Sequence, residues 1–315
     1  MIILNRIITI LVAFVLDQVI KDPPNKYHPV GWMGTFISRL RELTPNRKNL
    51  GKFIHGGLVI LCGAALFGGA GLCLQLFTDV LSSPMNWLIS ALLLNFFFTV
   101  RGLKTAANEV QKPLISGDLN KARRAASFHM VNRNTDEMNE SQIAAAAIES
   151  VAENSCDSIV APLLYYLVAG LPGVIIYRYI NTSDSQLGYH DAEREWLGKI
   201  PAIIDDVLNL TPARATAALM MIASLHPAYN LRNAMRTWWH DRHQTSSPNA
   251  GQTMSIAAGA LDLQLEKNGF YILGRRLPQP QAKDIQRSTQ LMHIVVAILV
   301  GILILAGIMI SMNLL

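Results

Sequence analysis

The last 25 residues, Leu291–Leu315, restrict the fold of this chain more than any other part of its sequence. His293 is the single residue among them whose side chain can carry a charge. About 20 consecutive apolar residues suffice for an α-helix to cross the hydrocarbon core of a membrane. The bilayer core offers no water to bond the backbone N–H and C=O groups. A single apolar run must therefore form its hydrogen bonds within itself, as an α-helix does. The sequence therefore predicts an integral membrane protein.

Three further apolar blocks are long enough, or nearly so, to be transmembrane helices. Charged residues make up 16% of the 315 residues, against about 25% in soluble domains. We predict an all-α fold, a polytopic integral membrane protein with about four full transmembrane helices and helical cytoplasmic loops. The predicted spans are residues 1–20, 53–78, 85–100 and 291–315.

The segment 159–180 is apolar, but two prolines and two glycines interrupt it. Non-helical backbone at membrane depth is tolerated where it lines a cavity or is buried in protein. Lys and Arg are frequent in the sequence after this segment, so a full crossing would separate two regions that both have cytoplasmic composition. We therefore predict a broken segment, re-entrant or shallow, that turns at Leu171-Pro172-Gly173.

The distribution of Lys and Arg predicts which side of the membrane each loop occupies. The loop 21–52 and the stretch 101–133 each contain seven of these residues. The positive-inside rule assigns both to the cytoplasm and the N-terminus to the outside. The polar regions 101–158 and 181–290 are then cytoplasmic parts of a single domain, residues 1–315, in the cytoplasmic (inner) membrane.

The net charge of +5 fits such loops beside anionic lipid and requires no nucleic acid. The basic stretches also lack the interleaved aromatic residues on which single-stranded nucleic acids stack. We therefore expect membrane lipid, but no nucleic acid, among the partners.

Three acidic residues precede the broken segment at helical spacing. Glu149, Glu153 and Asp157 lie four residues apart and share one face of a helix. Like charges in such a row repel one another, so a divalent cation, a distant arginine or protonation must offset the repulsion. Oxygen ligands suit Mg²⁺, which proteins hold with one or two carboxylates plus substrate phosphates. A solvated helix face is the alternative, but ionisable residues at membrane depth are functional candidates by default.

The spacing Asn-x-x-Asp occurs on both sides of the broken segment. Asn154 and Asp157 precede it, and Asn181 and Asp184 follow it. One copy is weak evidence, because Asn and Asp also form turns and helix caps. Two copies that flank one apolar segment are stronger evidence, since both would converge at the same membrane face.

A third polar group consists of Asp205-Asp206-x-x-Asn209, followed by Arg214. It adds two carboxylates and a guanidinium, and arginine is well suited to phosphate. A helix boundary near Pro212 explains the same residues equally well. A fourth group, Ser247-Pro248-Asn249-Ala250-Gly251, has the composition of a turn and predicts no chemistry by itself.

Six short motifs occur in a fixed order over nearly the whole chain. They are Asp22-Pro23-Pro24 with His28-Pro29-Val30, Glu149-Ser150-Val151-Ala152-Glu153-Asn154, Ala161-Pro162-Leu163, Asn181-Thr182-x-Asp184 with Gly188-Tyr189, Asp205-Asp206-x-x-Asn209 with Pro212-Ala213-Arg214, and Ser247-Pro248-Asn249-Ala250-Gly251. No single motif is decisive, but six in register are specific. Together they resemble the CobD/CbiB family of adenosylcobinamide-phosphate synthases, which belong to cobalamin biosynthesis.

The resemblance implies an ATP-dependent amide ligation with Mg²⁺. A carboxyl side chain of the corrinoid adenosylcobyric acid is joined to aminopropanol or its O-phosphate. Such a carboxylate needs activation, most simply as an acyl phosphate, and phosphoryl transfer depends on positioning and charge neutralisation. The active site would face the cytoplasm. Whether the amine is free or phosphorylated, whether the chain forms a homo-oligomer and whether late-pathway enzymes bind its loops all stay open.

The resemblance also implies roles for the polar groups. We expect Asp205 and Asp206 to act as further ligands or as the base that deprotonates the ammonium group. The residues expected to hold Mg-ATP as metal ligands, or to orient the amine, are Glu149, Glu153, Asp157 and Asp184. Those expected to contact cofactor or substrate are Asn154, Asn181, Asn209, Asn249 and Arg214, the last of these at a phosphate.

Two positions depart from the family pattern. The family usually has Asp-Gly where this chain has Asp157-Ser158, and Gly permits backbone conformations that Ser resists. It usually has Arg-Asp-Thr where this chain has Arg133-Asn134-Thr135, which removes one carboxylate. Neither change breaks the acidic face.

Two other functions compete with this interpretation. A metal-dependent transferase acting on a lipid or prenyl diphosphate would also place acidic motifs at a membrane face. Its usual paired Asp-x-x-x-Asp motifs are replaced here by Glu-rich and Asn-containing ones. A non-enzymatic signalling protein of the related β-lactamase-induction branch would not need the full acidic set that this chain retains.

Overall fold

The computed structural model describes residues 1–21, 23–44, 49–131, 134–188 and 195–313. Within these residues the regular structure is twelve α-helices, a 3₁₀ turn, a π-helical turn and one two-stranded hairpin. Four helical stretches of this part of the chain are long and apolar enough to cross a membrane, so the protein is an all-α polytopic membrane protein, as predicted. These stretches are Ile2–Val19, Asn49–Asp79, Glu140–Leu187 and Ala282–Met312.

The helices follow one another with short connections. In chain order they are α1 (Ile2–Val19), α2 (Pro29–Glu42), α3 (Asn49–Asp79), α4 (Ser83–Leu94), α5 (Arg101–Ile115), α6 (Leu119–His129), α7 (Glu140–Ser155), α8 (Ala161–Leu187), α9 (Glu195–Ala223), α10 (Leu231–Asp241), α11 (Ala250–Leu261) and α12 (Ala282–Met312). The antiparallel hairpin between α11 and α12 pairs β1 (Leu265–Lys267) with β2 (Tyr271–Leu273), with Glu266 opposite Ile272.

The chain divides into two compact units whose segments alternate along the sequence. The first unit consists of Met1–Thr99, Ala161–Asn209 and Leu303–Leu315. The second unit consists of Val100–Val160 and Leu210–Ile302. Nothing in the composition marks these boundaries, and the description of residues 1–315 as one membrane domain stays a prediction.

In the first unit α3 packs along α8, because glycines of α3 face large side chains of α8. Gly63 lies directly against the ring of Tyr179, where a Cβ atom would collide with it. Tyr179 Oη donates to the carbonyl of Val59 at 2.7 Å, and Phe67 stacks on the same ring at 5.3 Å between centroids. These contacts fix the second half of α8, which carries the polar residues of the site.

The helix α8 reverses its direction at Gly170, so its halves form a helical hairpin. Gly170 has φ 69° and ψ −153°, far from helical values. The rings of Tyr165 and Tyr177 stack with centroids 4.9 Å apart. In a straight helix the rise from residue 165 to residue 177 would be about 18 Å, so the chain must turn back between them. A Cβ atom on Gly173 would lie 2.6 Å from the carbonyl oxygen of Tyr165. The reversal is adjacent to the predicted turn at Leu171-Pro172-Gly173.

Arg6 and Gln75 bond to backbone groups that the reversal leaves without helical partners. Pro172 has no N–H and cannot donate to the carbonyl four residues earlier. Arg6 Nη1 donates to that carbonyl, which belongs to Val168, at 2.7 Å. The N–H of Leu171 donates to Gln75 Oε1 at 3.1 Å. Such partners are required wherever non-helical backbone lies at membrane depth, so α1 and α3 stabilise the tip of the hairpin.

We expect Gly170→Ala to destabilise the protein by about 1–3 kcal/mol. A residue with a Cβ atom resists this positive φ, and the added methyl group would lie 2.5 Å from Gln75 Oε1. Gly69→Ala in α3 is the matched control, because a Cβ atom there meets nothing within 4 Å. Thermal unfolding of both variants in one detergent measures the difference. Equal melting temperatures would contradict the hairpin geometry.

The apolar run 85–100, predicted as a span, does not form one helix. α4 ends at Leu94 after 12 residues, which is about 18 Å of helix against a membrane core of about 30 Å. Phe98 is buried beyond the helix and packs edge-on against Phe14 of α1, with centroids 5.4 Å apart. This packing, together with the turn that begins at Asn95, outweighs the tendency of the apolar run to continue as a helix.

In the second unit α7 is the central helix. Asn139 and Gln142 form a capping box at its start, in which each side chain accepts a hydrogen bond from the backbone N–H of the other residue, at 2.9 and 2.8 Å. The alanines that follow are buried, and their small side chains let α5 and α11 pack closely against α7. This packing holds the later, acidic part of α7 in place.

Candidate functional site

The acidic residues predicted on one helix face lie where α7 changes into a π-helical turn. α7 ends at Ser155, and Cys156–Val160 form the π turn. Glu149 is only 5% exposed, whereas Glu153 and Asp157 are half-buried. Glu149 and Glu153 keep the predicted spacing within α7, while Asp157 belongs to the π turn. Such turns are rare and occur frequently at functional sites.

Asn154 connects α7 to the π turn. Its Nδ2 donates to the carbonyl of Ser150 at 2.9 Å, and its Oδ1 accepts from the hydroxyl of Ser158 at 2.8 Å. Ser158, which departs from the family pattern, adopts a helical conformation and uses its hydroxyl in this contact. The expected difficulty of replacing Gly at this position is therefore absent, because the backbone here requires no positive φ.

Within the described residues, no three His, Cys, Asp or Glu side chains are arranged to hold a metal ion by themselves. Carboxylates of α7 still match the oxygen ligands that Mg²⁺ prefers, and Mg²⁺ commonly takes one or two carboxylates together with phosphates of a substrate. The assignment of Glu149, Glu153, Asp157 and Asp184 as metal ligands thus stays a prediction.

The first unit contains a buried network centred on Asp205 of α9. Asn181 Nδ2 donates to Asp205 Oδ1 at 3.3 Å, and Asn209 Nδ2 donates to Asp205 Oδ2 at 2.9 Å. Tyr177 Oη donates to Asn209 Oδ1 at 2.9 Å, and Arg178 Nη1 donates to Asn181 Oδ1 at 3.4 Å. The second half of α8 and the first half of α9 therefore bring together three predicted residues, Asp205, Asn181 and Asn209.

Burial raises the pKa of Asp205 from its ordinary value of 3.8 to about 6. The hydrogen bonds from Asn181 and Asn209 oppose this shift because they stabilise the carboxylate. The charge of Asp206 adds to the shift, and that of Arg178 opposes it. A carboxyl group with this pKa is ionised at neutral pH yet close enough to neutrality to accept a proton, which is the property of a general base.

The raised pKa of Asp205 predicts a contribution to stability that depends on pH. Between about pH 4 and pH 6 the folded protein retains a proton that the unfolded chain has released, so the free energy of unfolding falls as the pH rises. Asp205→Asn removes this contribution. We expect the difference in melting temperature between wild type and variant, measured in detergent, to shift against the wild type as the pH rises through this interval. A difference that does not change with pH would contradict the assignment.

Asp184 of α8 and Asp206 of α9 lie beside this network. Asp184 is half-buried on α8, three residues after Asn181 and thus close to it around the helix. Asp206 is half-buried next to Asp205. Asp22, Arg133 and Tyr189, which belong to the sequence motifs, lie outside the described residues.

Arg214 and Asn249 meet in the second unit. Arg214 Nη1 donates to Asn249 Oδ1 and to the carbonyl of Leu210, both at 2.9 Å. The N–H of Asn249 donates to Ser247 Oγ at 3.2 Å, so the turn predicted from composition is present and directly precedes α11. The alternative of a helix boundary at Pro212 is wrong, since α9 continues through it.

Two buried or half-buried charges of the first unit were missed by the sequence analysis. Asp17 of α1 is 3% exposed and accepts hydrogen bonds from Gln18 Nε2 at 2.9 Å and Thr99 Oγ1 at 3.3 Å. Arg178 lies within the apolar part of α8. An ionisable residue in an apolar run is the signal that could have identified both.

Comparison with known proteins agrees with this arrangement of motifs. A family model described as CobD/Cbib protein matches residues 10–300. A probable cobalamin biosynthesis protein CobD of Methanothermobacter thermautotrophicus is 40% identical over 86% of this chain and 88% of its own length. The cobalamin biosynthesis protein CobD of Dehalococcoides mccartyi is 40% identical over 84% of this chain and 85% of its own.

A more distant relative extends the comparison across most of both chains. The cobalamin biosynthesis protein CobD of Clostridium perfringens is 33% identical over 90% of each chain. No solved structure is significantly similar to the chain. The match of the family model over most of the sequence, together with relatives of this identity and coverage, shows that the chain belongs to the CobD/CbiB family and has a role in cobalamin biosynthesis.

Proposed function

We propose that the protein catalyses the ATP-dependent amide ligation of adenosylcobyric acid to aminopropanol or its O-phosphate. The observation that carries the proposal is the Asp205 network, in which a buried carboxylate with a pKa of about 6 is held by two amide donors. An amine becomes a nucleophile only after it loses its proton, and a base with a pKa near the working pH performs this step best.

The reaction needs a leaving group on the corrinoid carboxyl. Transfer of the terminal phosphoryl group of ATP to that carboxylate supplies it and releases ADP, and a bound Mg²⁺ would neutralise charge on the phosphates. Asp205 takes one proton from the ammonium group, and the resulting amine attacks the acyl carbon. The C–O bond to the phosphate then breaks as the amide forms, and the second nitrogen proton leaves on the phosphate. Arg178, whose charge reaches Asp205, helps to keep the carboxylate ionised in its buried surroundings.

The carboxylates of α7 are the groups we propose for binding Mg-ATP. Glu149 and Glu153 lie one helical turn apart on α7, which packs against α5 and α11. Two adjacent carboxylates and the phosphates of a nucleotide form a suitable ligand set for Mg²⁺. Asp157 extends the same acidic region into the π turn.

A product assay tests the proposal directly. Purified protein in detergent receives adenosylcobyric acid, ATP and Mg²⁺, together with either aminopropanol or its O-phosphate, and the amide is detected by mass. We expect a product that requires both ATP and Mg²⁺, and the amine that supports turnover identifies the substrate. Folded protein that forms no amide with either amine would overturn the proposal.

A further inference from the structure

Helix α10 of the second unit presents three stripes of side chains, and only one of them is buried. The buried stripe consists of Ala234, Thr237 and Asp241. It packs against α11, where a Cβ atom added to Gly259 would lie 2.7 Å from the Cα atom of Ala234. The glycine thus lets the two helices approach closely. The other two stripes of α10 remain at the surface and take no part in this packing.

The second stripe is apolar although it is exposed. Leu231, Met235 and Trp239 follow one another at intervals of four residues and share one face of α10. Met235 is 55% exposed and Trp239 is 64% exposed. With Met221 of α9 and Trp238, this stripe lines a groove of about 520 Å³. Apolar surface of this kind marks a site of contact with a partner, a ligand or a membrane.

The third stripe is basic and lies directly beside the apolar one. Arg232, Arg236 and His240 each follow a residue of the apolar stripe in sequence, which places them about 100° around the helix. All three are exposed, and their side chains have no hydrogen-bond or ion-pair partner within the described part of the chain. Arg236 and His240 also line the groove. Asp241, the single acidic residue of α10, is buried and accepts instead from the N–H of Gly274 at 2.7 Å.

The two indole rings of α10 are held in place at the surface. Trp238 Nε1 donates to Gln252 Oε1 of α11 at 2.9 Å. The guanidinium of Arg242 lies over the rings of Trp238 and Trp239, 4.6 and 4.7 Å from their centroids. Arg242 Nη1 also donates to the carbonyl of Trp239 at 2.6 Å. Trp239 is therefore a fixed, exposed indole, the kind of side chain that is enriched at the boundary between membrane and water.

The start of α10 lies beside the point at which α12 becomes apolar. Arg287 is the last charged residue before the apolar run that begins one helical turn later at Leu291. Tyr229 Oη donates to the carbonyl of Arg287 at 3.1 Å, and Arg287 Nη2 donates to the carbonyl of Ala228 at 3.5 Å. All of these residues belong to the second unit. Because α12 is long and apolar enough to cross a membrane, these contacts place the start of α10 at the level of the membrane surface.

We propose that α10 lies in the membrane interface and binds an anionic phospholipid, with an acyl chain in the groove and the phosphate at Arg232 and Arg236. A helix with an apolar stripe beside a basic one lies in the plane of the interface. A phospholipid carries an apolar chain next to a phosphate, which matches the neighbouring stripes, and anionic headgroups complement the arginines. The proposal does not depend on the ligation reaction.

The depth of a nitroxide label tests the position of α10. The full-length protein, labelled at Met235→Cys, is placed in nanodiscs that contain phosphatidylglycerol. The exposed Cys62 and Cys73 are replaced by Ala, and Cys156 is buried. Lys121→Cys, at an exposed position of α6, carries the label in the control. We expect the label at residue 235 to be accessible to oxygen, which partitions into lipid, and protected from a water-soluble nickel complex.

Two results of the depth measurement would overturn the proposal. One is a label at residue 235 that the nickel complex reaches as readily as it reaches the control. The other is a label protected from both reagents, which would show that a protein partner or a second copy of the chain covers the groove.

Quenching of tryptophan fluorescence tests the role of the arginines. The protein in a neutral detergent is titrated with brominated phosphatidylglycerol or brominated phosphatidylcholine. The part of the quenching that the Trp239→Phe variant lacks reports lipid at α10. We expect phosphatidylglycerol to act at lower concentration than phosphatidylcholine. We expect Arg232→Gln/Arg236→Gln to weaken the effect of phosphatidylglycerol about tenfold or more, with little change for phosphatidylcholine.

The matched control is Lys121→Gln/Arg124→Gln, which removes the same charge from two exposed positions of α6. It should leave the quenching of Trp239 unchanged, because that signal is local to α10. Each variant is used only if its melting temperature matches that of the wild type. Equal quenching by the two lipids, or an equal loss in both double variants, would contradict a phospholipid site at the arginines. None of these measurements requires turnover, so their outcomes are distinct from a failure of the amide assay.

Discussion

Glu153→Gln is expected to reduce amide formation by a factor of about 10²–10³ or more while leaving the protein folded in the membrane. The substitution preserves the size of the side chain and removes its charge. Glu153 is half-buried near the end of α7, one turn after the buried Glu149. If the two carboxylates bind Mg-ATP, the loss of one charge removes both a ligand and part of the neutralisation of the nucleotide phosphates.

The measurement is the amide assay at several Mg²⁺ concentrations. Glu140→Gln provides the matched control, because Glu140 begins the same helix, is exposed and lies more than three turns away from Glu153 along α7. We expect the control to keep normal turnover. We also expect added Mg²⁺ to restore part of the activity of Glu153→Gln, since a weakened site fills at higher concentration. Near-normal turnover of Glu153→Gln would remove the residue from the mechanism.

Much of the fold follows from the apolar pattern of the sequence. Long uninterrupted runs can satisfy their backbone only as helices in lipid, and the runs at 1–20, 53–78 and 291–315 correspond to α1, α3 and much of α12. The broken run at 159–180 contains the residues that a chain reversal needs, and the reversal occurs at Gly170. Local composition was sufficient in these places because the constraint itself is local.

The run 85–100 shows where this reasoning is insufficient. Its composition suits a helix throughout, yet α4 ends at Leu94. The ending depends on contacts such as that between Phe98 and Phe14, which lie far apart in sequence. The same limit applies to the cavity lined by α2, residues 95–99 and the end of α8, whose walls come from separate parts of the chain. Contacts of this kind have no signature in spacing or composition.

The candidate site was predictable to the extent that its residues follow regular spacings. Asp205 and Asn209 are four residues apart on α9, and the hydrogen bond between them realises that spacing. Asn181 was predicted only as a member of an Asn-x-x-Asp motif. Its hydrogen bond to Asp205 depends on the packing of α8 against α9, which the motif does not predict. Tyr177 was not singled out, because tyrosines in apolar segments usually serve the core or the membrane interface.

Asp205→Asn is expected to lower turnover by a factor of about 10²–10⁴ at neutral pH, the range associated with loss of a general base. The variant retains the shape of the side chain and an oxygen that accepts from one of its two amide neighbours. It cannot accept a proton. In the wild type, kcat/KM should rise with pH through the pKa of about 6 and then level off. The residual kcat/KM of the variant should not show this rise.

The control for this experiment is Glu195→Gln, which lies in the first turn of the same helix, α9, and is exposed. It should leave both the rate and its pH dependence unchanged. A structural role for Asp205 predicts a different pattern, because a disturbed network would reduce the fraction of folded protein and would spare the pH dependence of what remains active. The shape of the pH profile, corrected for the folded fraction, therefore separates a base from a residue that only positions Asn181 and Asn209.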